Sequence, residues 1–460
     1  MTDILLVNVP HSFLGTHKSE PAVTSQEGEL FSYPPLGILY LASVLRTRHY
    51  SVTVIDAPSK LFSIYDLTYL VDSYDPSILG LSVTTPQVRS AVQLGRAVKE
   101  QRPQTKIVLG GSHATLDPDF MIKYPYFDVQ FQGEGEVTFP HIVSDIEAGK
   151  FDGQLIKGEE VKDLDSLPFP SRDLIDTNAY FVPIYGERFT SMLSSRGCPY
   201  QCSFCSRPCV PKSIRFRSPQ NIFSEMRECK EQYSIRHFQF VDDIFGVDRR
   251  RTLDLLNLIK HLDIQFGFQT RVELMQDENY VWALAEAGCK EISLGIESGD
   301  EQIRRINGKY FSDEALRRTV KLCHQHNIEI NGFYIIGLIG DNKDTIAKTV
   351  RHPSMIGVDY VEFQVIVPYP GTQVFEEGIR ETALNGEVWD RFASGELEEQ
   401  PVYIPKTLTR DYMLQAQKHA YRIFYFNPHY VLKRFSRDIT SVKKLRQDAK
   451  TAIVLAKSFL

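Results

Sequence analysis

Apolar runs of strand length recur along the first third of the chain, and helical patterns separate several of them. The runs are ILLVNV (4–9), SVTVI (51–55), ILGLSV (78–83), KIVLG (106–110) and FDVQFQ (127–132). In the segment YPPLGILYLASVL, two prolines suit a first helical turn, and Ile38, Leu41 and Leu45 then fall on one helix face. Strands that alternate with helices predict an α/β fold, with a doubly wound parallel sheet over residues 1–150.

A second alternating series occupies the middle of the chain. Its six runs are TSMLSS (190–195), RHFQFVD (236–242), IQFGFQTR (264–271), KEISLGI (290–296), EINGFYII (329–336) and YVEFQVIV (360–367). This pattern predicts a partial (β/α)6 barrel over residues 188–375, with its chemistry at the carboxyl ends of the strands. Residues 151–187, which include the proline-stiffened segment LPFPSRDL, are predicted to form a linker, and residues 376–460 a mostly helical region.

Length and composition agree with a multidomain globular protein. A chain of 460 residues exceeds what one core supports, and 42% hydrophobic and 24% charged residues are ordinary proportions. The net charge is −6, but residues 405–460 hold twelve Lys and Arg against three Asp, a local charge of +9. This excess could favour an anionic substrate or weak contact with a membrane surface, and the alternative is a merely solvated helical face.

Four of the seven cysteines lie within SSRGCPYQCSFCSRPC, residues 194–209. The amino terminus, MTDILLVNV, has no signal-peptide features, so we expect a cytoplasmic protein whose cysteines stay reduced and serve a metal or catalysis. A zinc site would need a second cysteine pair far from the first, which the chain lacks. A ferredoxin run would have a first gap of two and a proline after the fourth cysteine, where this chain has a gap of three and Val210.

With Phe204 directly before the third cysteine, the CxxxCxxC spacing of Cys198, Cys202 and Cys205 resembles the motif of the radical S-adenosylmethionine (SAM) superfamily. The resemblance implies a [4Fe–4S] cluster held by these three thiolates, with the fourth iron open to SAM. Cys209 is expected to lie outside the ligand set. The remaining cysteines are expected to be structural: Cys229, Cys289 and Cys323.

The resemblance extends over residues 188–375 and implies a set of SAM-binding residues at successive strand ends. Asp242, in QFVDDIFG, is placed for the SAM amino group, Arg271 for its carboxylate and Glu297 for its ribose hydroxyls. The full set is Phe204, Asp242, Arg271, Glu297 and Gly337. The segment FYIIGLIGD around Gly337 departs from the family's ending at Ile339 and Asp341, which leaves the shape of that loop open. For each residue the alternative is a structural ion pair or turn.

Loops after the first strands carry glycines and hydroxyl groups, which let a bulky ligand approach the backbone or else only form tight turns. The segments YPPLGILYLASVL, LGLSVTT, KIVLGGSHAT and FQGEGE, in order over residues 1–145, resemble the cobalamin-binding domain of cobalamin-dependent radical SAM enzymes. The resemblance implies cobalamin contacts from Thr84, Thr85, Gly110, Gly111, His113, Gly133, Glu134 and Gly135. For His113 a helix-capping or surface role is the alternative. The DxHxxG signature is missing, so His11 is expected to be a loop histidine and the lower cobalt ligand stays open.

These resemblances imply an enzyme that uses a [4Fe–4S] cluster, SAM and cobalamin. The favoured function is methylation of an unactivated carbon of a small molecule or lipid, through a 5′-deoxyadenosyl radical and methylcobalamin. The same group includes anaerobic magnesium-protoporphyrin ester cyclases, so a cyclase or ring-rearranging enzyme is the alternative, and a cobalamin and cluster sensor is the alternative outside catalysis. We expect an electron donor such as flavodoxin or ferredoxin, and no nucleic-acid partner. No catalytic residue is assigned.

Overall fold

The computed structural model describes residues 3–11, 24–25, 29–30, 33–151, 153–182, 187–206 and 209–438. Its first sheet consists of parallel strands in the spatial order β2-β1-β3-β4-β5-β6. These strands are β1 (Asp3–Asn8), β2 (Ser51–Asp56), β3 (Ile78–Ser82), β4 (Lys106–Gly110), β5 (Val129–Gln132) and β6 (Gln154–Lys157). The strand β6 lies within the segment that the sequence assigns to the linker, so the sheet extends beyond residue 150.

Helices cover both faces of this sheet, as the alternating pattern predicts. They are α1 (Leu36–Thr47), α2 (Ala57–Lys60), α3 (Ile64–Tyr74), α4 (Val88–Gln101), α5 (Ser112–Leu116), α6 (Phe120–Lys123) and α7 (Phe139–Glu147). Successive residues of β1 join different cores: Leu5 and Val7 pack with α3 and α4, and Ile4 and Leu6 pack with α1 and α7. A strand buried on both faces explains why ILLVNV is a continuous apolar run.

The second sheet forms the predicted partial barrel and has the order β13-β12-β11-β10-β9-β8-β7. Its strands are β7 (Phe181–Val182), β8 (Glu187–Met192), β9 (His237–Phe240), β10 (Gln265–Thr270), β11 (Cys289–Glu297), β12 (Glu329–Ile336) and β13 (Tyr360–Val365). Strands β8 to β13 are parallel, and β7 pairs antiparallel with β8. The first barrel strand begins at Glu187, three residues before the predicted run, because Glu187 and Arg188 pair with β7.

The barrel helices are α8 (Pro219–Tyr233), α9 (Arg249–Ile259), α10 (Glu278–Glu286), α11 (Glu301–Ile306), α12 (Asp313–Gln325) and α13 (Lys343–Ile356). A single apolar core lies between them and the outer face of the sheet, with Phe238, Phe266, Ile292 and Ile330 fully buried. Cys229, Cys289 and Cys323 belong to this core, as the helical spacing of Cys229 and Cys323 predicts. The alternate residues of the strands face the barrel lumen.

The carboxyl-terminal region is helical where the structure describes it and contacts both domains. It contains α14 (Gln373–Arg380), α15 (Val388–Ser394), α16 (Arg410–Tyr425) and α17 (Pro428–Asp438). The hydroxyls of Tyr421 and Tyr425 accept the N–H groups of Phe363 and Val361, which covers the exposed edge of β13. Part of the predicted basic segment, residues 439–460, lies outside the described residues. No helix in the described ranges has the length and apolarity needed to cross a bilayer.

Buried charges fix the connection between the two domains. The guanidinium of Arg172, in the connecting segment, lies 2.6 Å from Oε1 of Glu225 on α8, and Arg217 lies 2.6 Å from Oε2 of the same carboxylate. All three side chains are at most 4% exposed. Removing one partner of such a group leaves an uncompensated buried charge, which costs about 3–5 kcal/mol. The connecting segment is therefore anchored to the barrel.

Candidate functional site

The cysteine loop leaves the carboxyl end of β8, where the barrel pattern predicts chemistry. A two-residue strand, Ser195–Arg196, pairs antiparallel with Arg215–Phe216, and the cysteines lie in the segment between them. The loop is closed by the N–H of Cys198, which donates to the carbonyl of Pro211 at 3.0 Å. Gly197 has φ +105°, and a Cβ there would collide with the carbonyl oxygen of Ser213. Glycine is thus required directly before the first cysteine.

Two neighbouring aspartates at the end of β9 hold the start of this loop. Oδ1 of Asp242 accepts hydrogen bonds from the N–H of Ser194 at 2.9 Å, the N–H of Ser195 and the hydroxyl of Ser195 at 2.7 Å. Oδ2 of Asp242 is buried without a hydrogen-bond partner among the described residues, and burial raises the pKa of this carboxyl to about 6. Asp243 accepts the N–H of Gly197 at 2.8 Å. Asp242 therefore fixes the start of the loop through Oδ1, and its Oδ2 has no hydrogen-bond partner among the described residues.

Arg271, at the end of β10, contacts the cysteine loop directly. Its Nη1 lies 3.5 Å from Sγ of Cys202, and its guanidinium covers the ring of Tyr200 at 4.0 Å. Burial acts to lower its pKa, but the hydrogen bonds and charge of Glu273 outweigh burial and raise the pKa overall. Its Nη2 also donates to the carbonyl of Gly308 at 3.2 Å. A fixed positive charge thus lies beside the second cysteine.

The fourth strand end carries a buried ion pair. Glu297 has φ +70°, which is unusual for a residue with a Cβ, and follows an irregularity in the pairing of β11 with β12. Its Oε1 lies 2.9 Å from Nζ of Lys309, and both side chains are 7% exposed. Strain of this kind clusters at functional sites. The predicted ribose-binding carboxylate is therefore held in one position by Lys309.

The loop after β12 has a defined shape despite its departures from the family pattern. Gly337 has φ +92°, and Oδ2 of Asp341 accepts the N–H groups of Gly337 and Leu338, both at 3.0 Å. Oδ1 of Asp341 accepts the hydroxyl of Thr345 at 2.7 Å. The hydrogen bonds of the Asp341 side chain thus hold this loop in one conformation.

The donor set fits a cluster. All seven cysteines are free, and those of the loop are half-buried, so thiolates are available without any disulfide. Cys209 differs, because its Sγ donates to the carbonyl of Ser112 at 3.2 Å and thereby contacts the first domain. Within the described part of the chain, no three His, Cys, Asp or Glu side chains converge as ligands of a single metal ion would. A cluster does not need such convergence, because each of its cysteines binds a different iron.

A cavity of about 280 Å³ lies between the first sheet and α1 and opens at the carboxyl edge of the sheet. Its inner walls are apolar, with Leu6, Val108 and Phe131 from the strands and Leu41 from α1. Gly37, exposed in the first turn of α1, borders it without a side chain. Five of the predicted cobalamin-contacting residues also line it, at its mouth, namely Gly110, Gly111, Gly133, Glu134 and Gly135. Apolar walls and bare backbone fit the nucleotide tail of cobalamin.

The barrel domain supplies part of the cavity wall. Arg196, two residues before Cys198, lines the cavity, lies 2.7 Å from Oε1 of Glu136 and stacks over Tyr40 at 5.5 Å. Glu134 is bound by Arg196 at 3.2 Å and by Arg215 at 2.6 Å. The carboxylate of Glu134 therefore joins the two domains instead of projecting freely towards a ligand. Arg196 therefore forms part of the cavity wall and also part of the cysteine loop.

The remaining predicted cobalamin contacts, Thr84, Thr85 and His113, are not among the residues that line the cavity. His113 is fully buried, its Nδ1 lies 3.2 Å from the Thr85 hydroxyl, and its ring packs edge-on against Phe120. Burial lowers its pKa to about 3. Thr84 is exposed, but its hydroxyl donates to Gln87 at 2.8 Å as part of a helix cap. These side chains support the loops that border the cavity.

A wider groove of about 470 Å³ lies on the opposite side of the barrel, against α12 and α13. It is lined by Arg317, Lys321, His324 and Lys433, and none of the predicted site residues borders it. No residue of the cysteine loop or of the glycine-lined cavity borders this groove.

Two family models match the chain over these same regions. The B12 binding domain model matches residues 30–143, which contain most of the cavity, and the Radical SAM superfamily model matches residues 192–352, which contain the cysteine loop and four strand ends. This chain carries both a B12-binding domain and a radical SAM domain. The radical SAM domain implies a [4Fe–4S] cluster and SAM, and the B12-binding domain implies cobalamin. The resemblance drawn from the sequence is confirmed, and this radical SAM protein is an enzyme.

Similar proteins cover nearly the whole chain. An uncharacterized methyltransferase of Pyrococcus horikoshii is 29% identical over 419 residues, which cover 87% of this chain and 89% of that protein. The anaerobic magnesium-protoporphyrin IX monomethyl ester cyclase of Rubrivivax gelatinosus is 24% identical and covers 88% of this chain and 76% of that protein. The relatives therefore include both of the activities that the sequence leaves open.

Solved structures share the fold. The radical SAM methyltransferase TsrM from Kitasatospora setae, with cobalamin and a [4Fe–4S] cluster bound, aligns with a TM-score of 0.64 at 17% identity over 83% of this chain and 76% of that chain. The cobalamin-dependent enzyme OxsB, with aqua-cobalamin and SAM bound, aligns with a TM-score of 0.64 at 16% identity over 99% of this chain and 72% of that chain.

Several residues of the site escape sequence reasoning. Arg196 and Glu136 are far apart in the chain, and neither stands in a motif that marks an ion pair. Lys309 lies in the segment NGKY with no pattern pointing to Glu297. Gly37 was available as a signal, because a glycine inside a strongly apolar helix often marks a close approach or an open wall.

Proposed function

We propose that this enzyme transfers a methyl group to an unactivated carbon of a small molecule. The observation that carries the proposal is the shared wall: Arg196 lines the glycine-lined cavity and stands two residues before Cys198 in the cysteine loop. A group bound at the mouth of the cavity would therefore lie next to a group bound at the loop. This adjacency suits a reaction in which a carbon loses hydrogen and gains a methyl group within one enclosed space. When bound, the cluster with SAM supplies hydrogen abstraction, and cobalamin supplies the methyl group.

The protein residues perform the tasks of binding and orientation. Cys198, Cys202 and Cys205 would hold the cluster, and Arg271 keeps a positive charge next to Cys202. Glu297, fixed by Lys309, would accept hydrogen bonds from ribose hydroxyls, and the free oxygen of Asp242 is a candidate acceptor for the SAM amino group. The phenyl ring of Phe204, half-buried against the barrel core, would line the SAM side of the loop.

In the cobalamin-binding domain, Gly110, Gly111, Gly133 and Gly135 bring bare backbone to the cavity mouth, which admits a bulky macrocycle. Arg196 and Glu134 would fix the distance between the two cofactors, because they join the domains at the cavity. His113 would act only through Thr85 and the loop it supports. An electron donor such as flavodoxin or ferredoxin would reduce the cluster.

The experiment that tests methyl transfer uses SAM labelled in its methyl group with deuterium. The reconstituted enzyme is incubated anaerobically with labelled SAM, a reductant and candidate substrates, and the products are separated by mass. Methyl transfer yields 5′-deoxyadenosine and S-adenosylhomocysteine together, and the substrate gains the whole labelled methyl group.

A cyclase is the second candidate, because relatives over most of the chain include a named cyclase. It would release 5′-deoxyadenosine with an unlabelled product and no S-adenosylhomocysteine. That outcome would replace the methyltransferase proposal with the cyclase.

A further inference from the structure

The inner faces of β11, β12 and β13 carry polar residues where the opposite faces are apolar. Ile292, Ile330 and Phe363 are fully buried in the core outside the barrel. The alternate positions face the lumen and include Glu291 and Ser293 on β11, Glu329 and Asn331 on β12, and Glu362 and Gln364 on β13. Glu362 and Gln364 are exposed although they lie on the inner face, so water enters the lumen. The lumen is a polar, accessible space.

Two of these glutamates have no cationic partner among the residues that the structure describes. Glu329 is satisfied, because Arg434 lies 3.5 Å from its Oε1 and the Tyr360 hydroxyl donates to its Oε2 at 3.0 Å. Glu291 accepts only a long bond of 3.4 Å from the Ser293 hydroxyl. Glu362 likewise accepts only a bond of 3.4 Å, from Nδ2 of Asn331. The charges near these two positions therefore add up to a negative surface.

Asn331 adds an independent sign of a missing ligand. Its side chain is 8% exposed, and its Oδ1 is buried with no hydrogen-bond partner. It lies between the two glutamates, because it pairs in register with Ser293 and its Nδ2 points to Glu362. A buried amide oxygen without a donor costs about 1–3 kcal/mol unless something donates to it. A ligand that brings N–H groups would satisfy the amide oxygen and the neighbouring Glu362 carboxylate together.

Glu291 and Glu362 face the same lumen but lie two strands and four residues apart in register, because Glu291 pairs with Glu329 and Glu362 pairs with Phe333. Burial raises the pKa of Glu291 to about 7, and the charges of Glu329 and Glu362 add to the effect. The charges of Glu291 and Glu362 also raise the pKa of Tyr33, after burial. Tyr33, from the first domain, packs edge-on against Phe189 of β8 at 5.5 Å. The first domain thereby forms one side of the lumen.

The lumen site lies below the predicted SAM site. Glu362 pairs with Phe333, and Phe333 pairs with Gly295, which is two residues before Glu297 on β11. Two strand residues span about 7 Å, so Glu362 is one row of side chains below the ribose-binding carboxylate. Asn331 and Glu291 follow on the next rows. These side chains form a column that runs from the predicted SAM site towards the amino-terminal ends of the barrel strands.

We propose that Glu362 and Asn331 bind a nitrogen-centred cation, an ammonium or amidinium group, that anchors the methyl acceptor inside the barrel, and that Glu291 adds negative charge farther down the lumen. The proposal rests on the proposed function in that the ligand is taken to be the acceptor of the methyl group. An anionic group is disfavoured at this place, because it would meet two uncompensated carboxylates. A cationic anchor one row below the SAM site would position a carbon of the same molecule near the abstracting group.

Butylammonium chloride serves as the probe, with sodium butyrate and butanol as matched compounds of equal chain length. Binding to the full-length protein is measured by isothermal titration calorimetry at constant ionic strength. We expect butylammonium to bind at least about tenfold more tightly than the other two, because a charged hydrogen bond in a part-buried site has that effect. Equal or tighter binding of butyrate would overturn the proposal. Tighter binding of magnesium ion than of butylammonium would also overturn it, in favour of an inorganic cation.

The variants Glu362→Gln and Glu291→Gln keep the shape of the side chains and remove the charge. Glu362→Gln should weaken butylammonium binding about tenfold or more and Glu291→Gln by less, because Glu291 lies farther from the bound group, whereas Glu314→Gln, on the exposed face of α12, should leave binding unchanged. Circular dichroism confirms that each variant folds. Unchanged binding in both lumen variants would refute the assignment.

A separate measurement distinguishes this site from the proposed function. Release of 5′-deoxyadenosine from SAM without substrate should persist in Glu362→Gln, because Glu362 contacts neither the cysteine loop nor Glu297. If butylammonium binds as expected but no substrate ever acquires the labelled methyl group, methyl transfer is wrong and the cation site stands. If labelled products form and the lumen variants retain their binding, the cation site is wrong.

Discussion

The contact of Arg271 with Cys202 shows how a single side chain sets the charge around the cysteine loop. The guanidinium lies 3.5 Å from the sulfur, and Glu273 holds it there at 2.7 Å. A fixed positive charge therefore lies beside one of the predicted cluster ligands. Burial, followed by the charge of Cys205, raises the pKa of Cys209 to about 12, and its thiol donates to the carbonyl of Ser112. This hydrogen bond to the first domain separates Cys209 from the predicted ligands.

The cysteine variants test this separation. After anaerobic reconstitution, the wild-type protein should hold about four irons per chain, and Cys198→Ala, Cys202→Ala and Cys205→Ala should each lose the cluster. Cys209→Ser is the matched control and should keep both the iron and the visible absorption of the cluster. A loss of iron in Cys209→Ser equal to that of the other variants would show a fully ligated cluster and exclude the open iron.

The burial of His113 predicts how the unfolding free energy of the protein depends on pH. Its pKa is lowered from 6.5 to about 3 in the folded protein, so it is neutral there but gains a proton on unfolding below pH 6.5. Its contribution to stability is therefore complete above pH 6.5 and is lost as the pH falls towards 3. Between pH 7 and pH 5 the wild-type protein should lose about 2 kcal/mol of unfolding free energy relative to His113→Gln.

The measurement is urea denaturation across that pH range, followed by tryptophan fluorescence. His141→Gln is the control, because His141 is exposed on α7 and should change the pH profile little. Parallel pH profiles for the wild-type protein and His113→Gln would contradict the burial of this ring.

Among the helices, α1 combines a structural and a binding role. Its apolar face packs on the sheet through Ile38 and Leu39, and Gly37, exposed in its first turn, borders the opening of the cavity. Helix propensity alone would favour alanine at this position by up to about 1 kcal/mol. A residue without a side chain at this place leaves the opening clear.

Substitutions at Gly37 should separate stability from binding. Gly37→Ala should raise the unfolding free energy by up to about 1 kcal/mol, because a Cβ meets no atom within 4 Å. Gly37→Leu should obstruct the opening of the cavity and weaken cobalamin retention about tenfold or more, measured by absorbance after gel filtration. Gly386→Leu is the control, since Gly386 is also unobstructed but lies far from the cavity in an exposed loop. Full retention by Gly37→Leu would place cobalamin elsewhere.

At the scale of the whole molecule, the carboxyl-terminal region holds the two domains together. The side chain of Arg89 on α4 donates to the carbonyls of Phe392 at 2.8 Å, Glu398 at 3.2 Å and Leu397, and it stacks over the Phe392 ring at 4.4 Å. The indole N–H of Trp389 donates to Pro368, just after the last barrel strand. The helix α15 therefore connects the first sheet to the exit of the barrel and limits how far the domains can separate.

Arg89→Met should release this connection. Three carbonyls would lose their donor, so we expect a local loss of about 1–3 kcal/mol and faster hydrogen exchange in residues 388–398. Arg96→Met, on the exposed face of the same helix, should leave exchange in that segment unchanged. Uniformly faster exchange over the whole first domain would instead show that Arg89 stabilises the domain itself.

Local patterns determined much of this molecule. The apolar runs located the six barrel strands, and the strand EINGFYII is found at its predicted bounds, Glu329–Ile336. The spacing of Cys198, Cys202 and Cys205 and the glycines of the strand-end loops pointed to the cofactors, because both signals depend on neighbours within a few residues. Strand periodicity is local for the same reason, since it reflects one face of one element.

Only the tertiary structure decided which residues meet across the fold. The sequence predicts His113 and Glu134 as cobalamin contacts, and only the fold shows that His113 packs against Phe120 and that Glu134, which lines the cavity, pairs with Arg215. It gave no sign that Arg196 joins the cavity to the cysteine loop, or that Glu291 and Glu362 share the barrel lumen. Such contacts depend on the register and closure of whole sheets, which set the distance between residues far apart in the chain. No local pattern carries that information, because ion pairs and buried carboxylates are formed by the assembled surfaces and not by the segments that supply them.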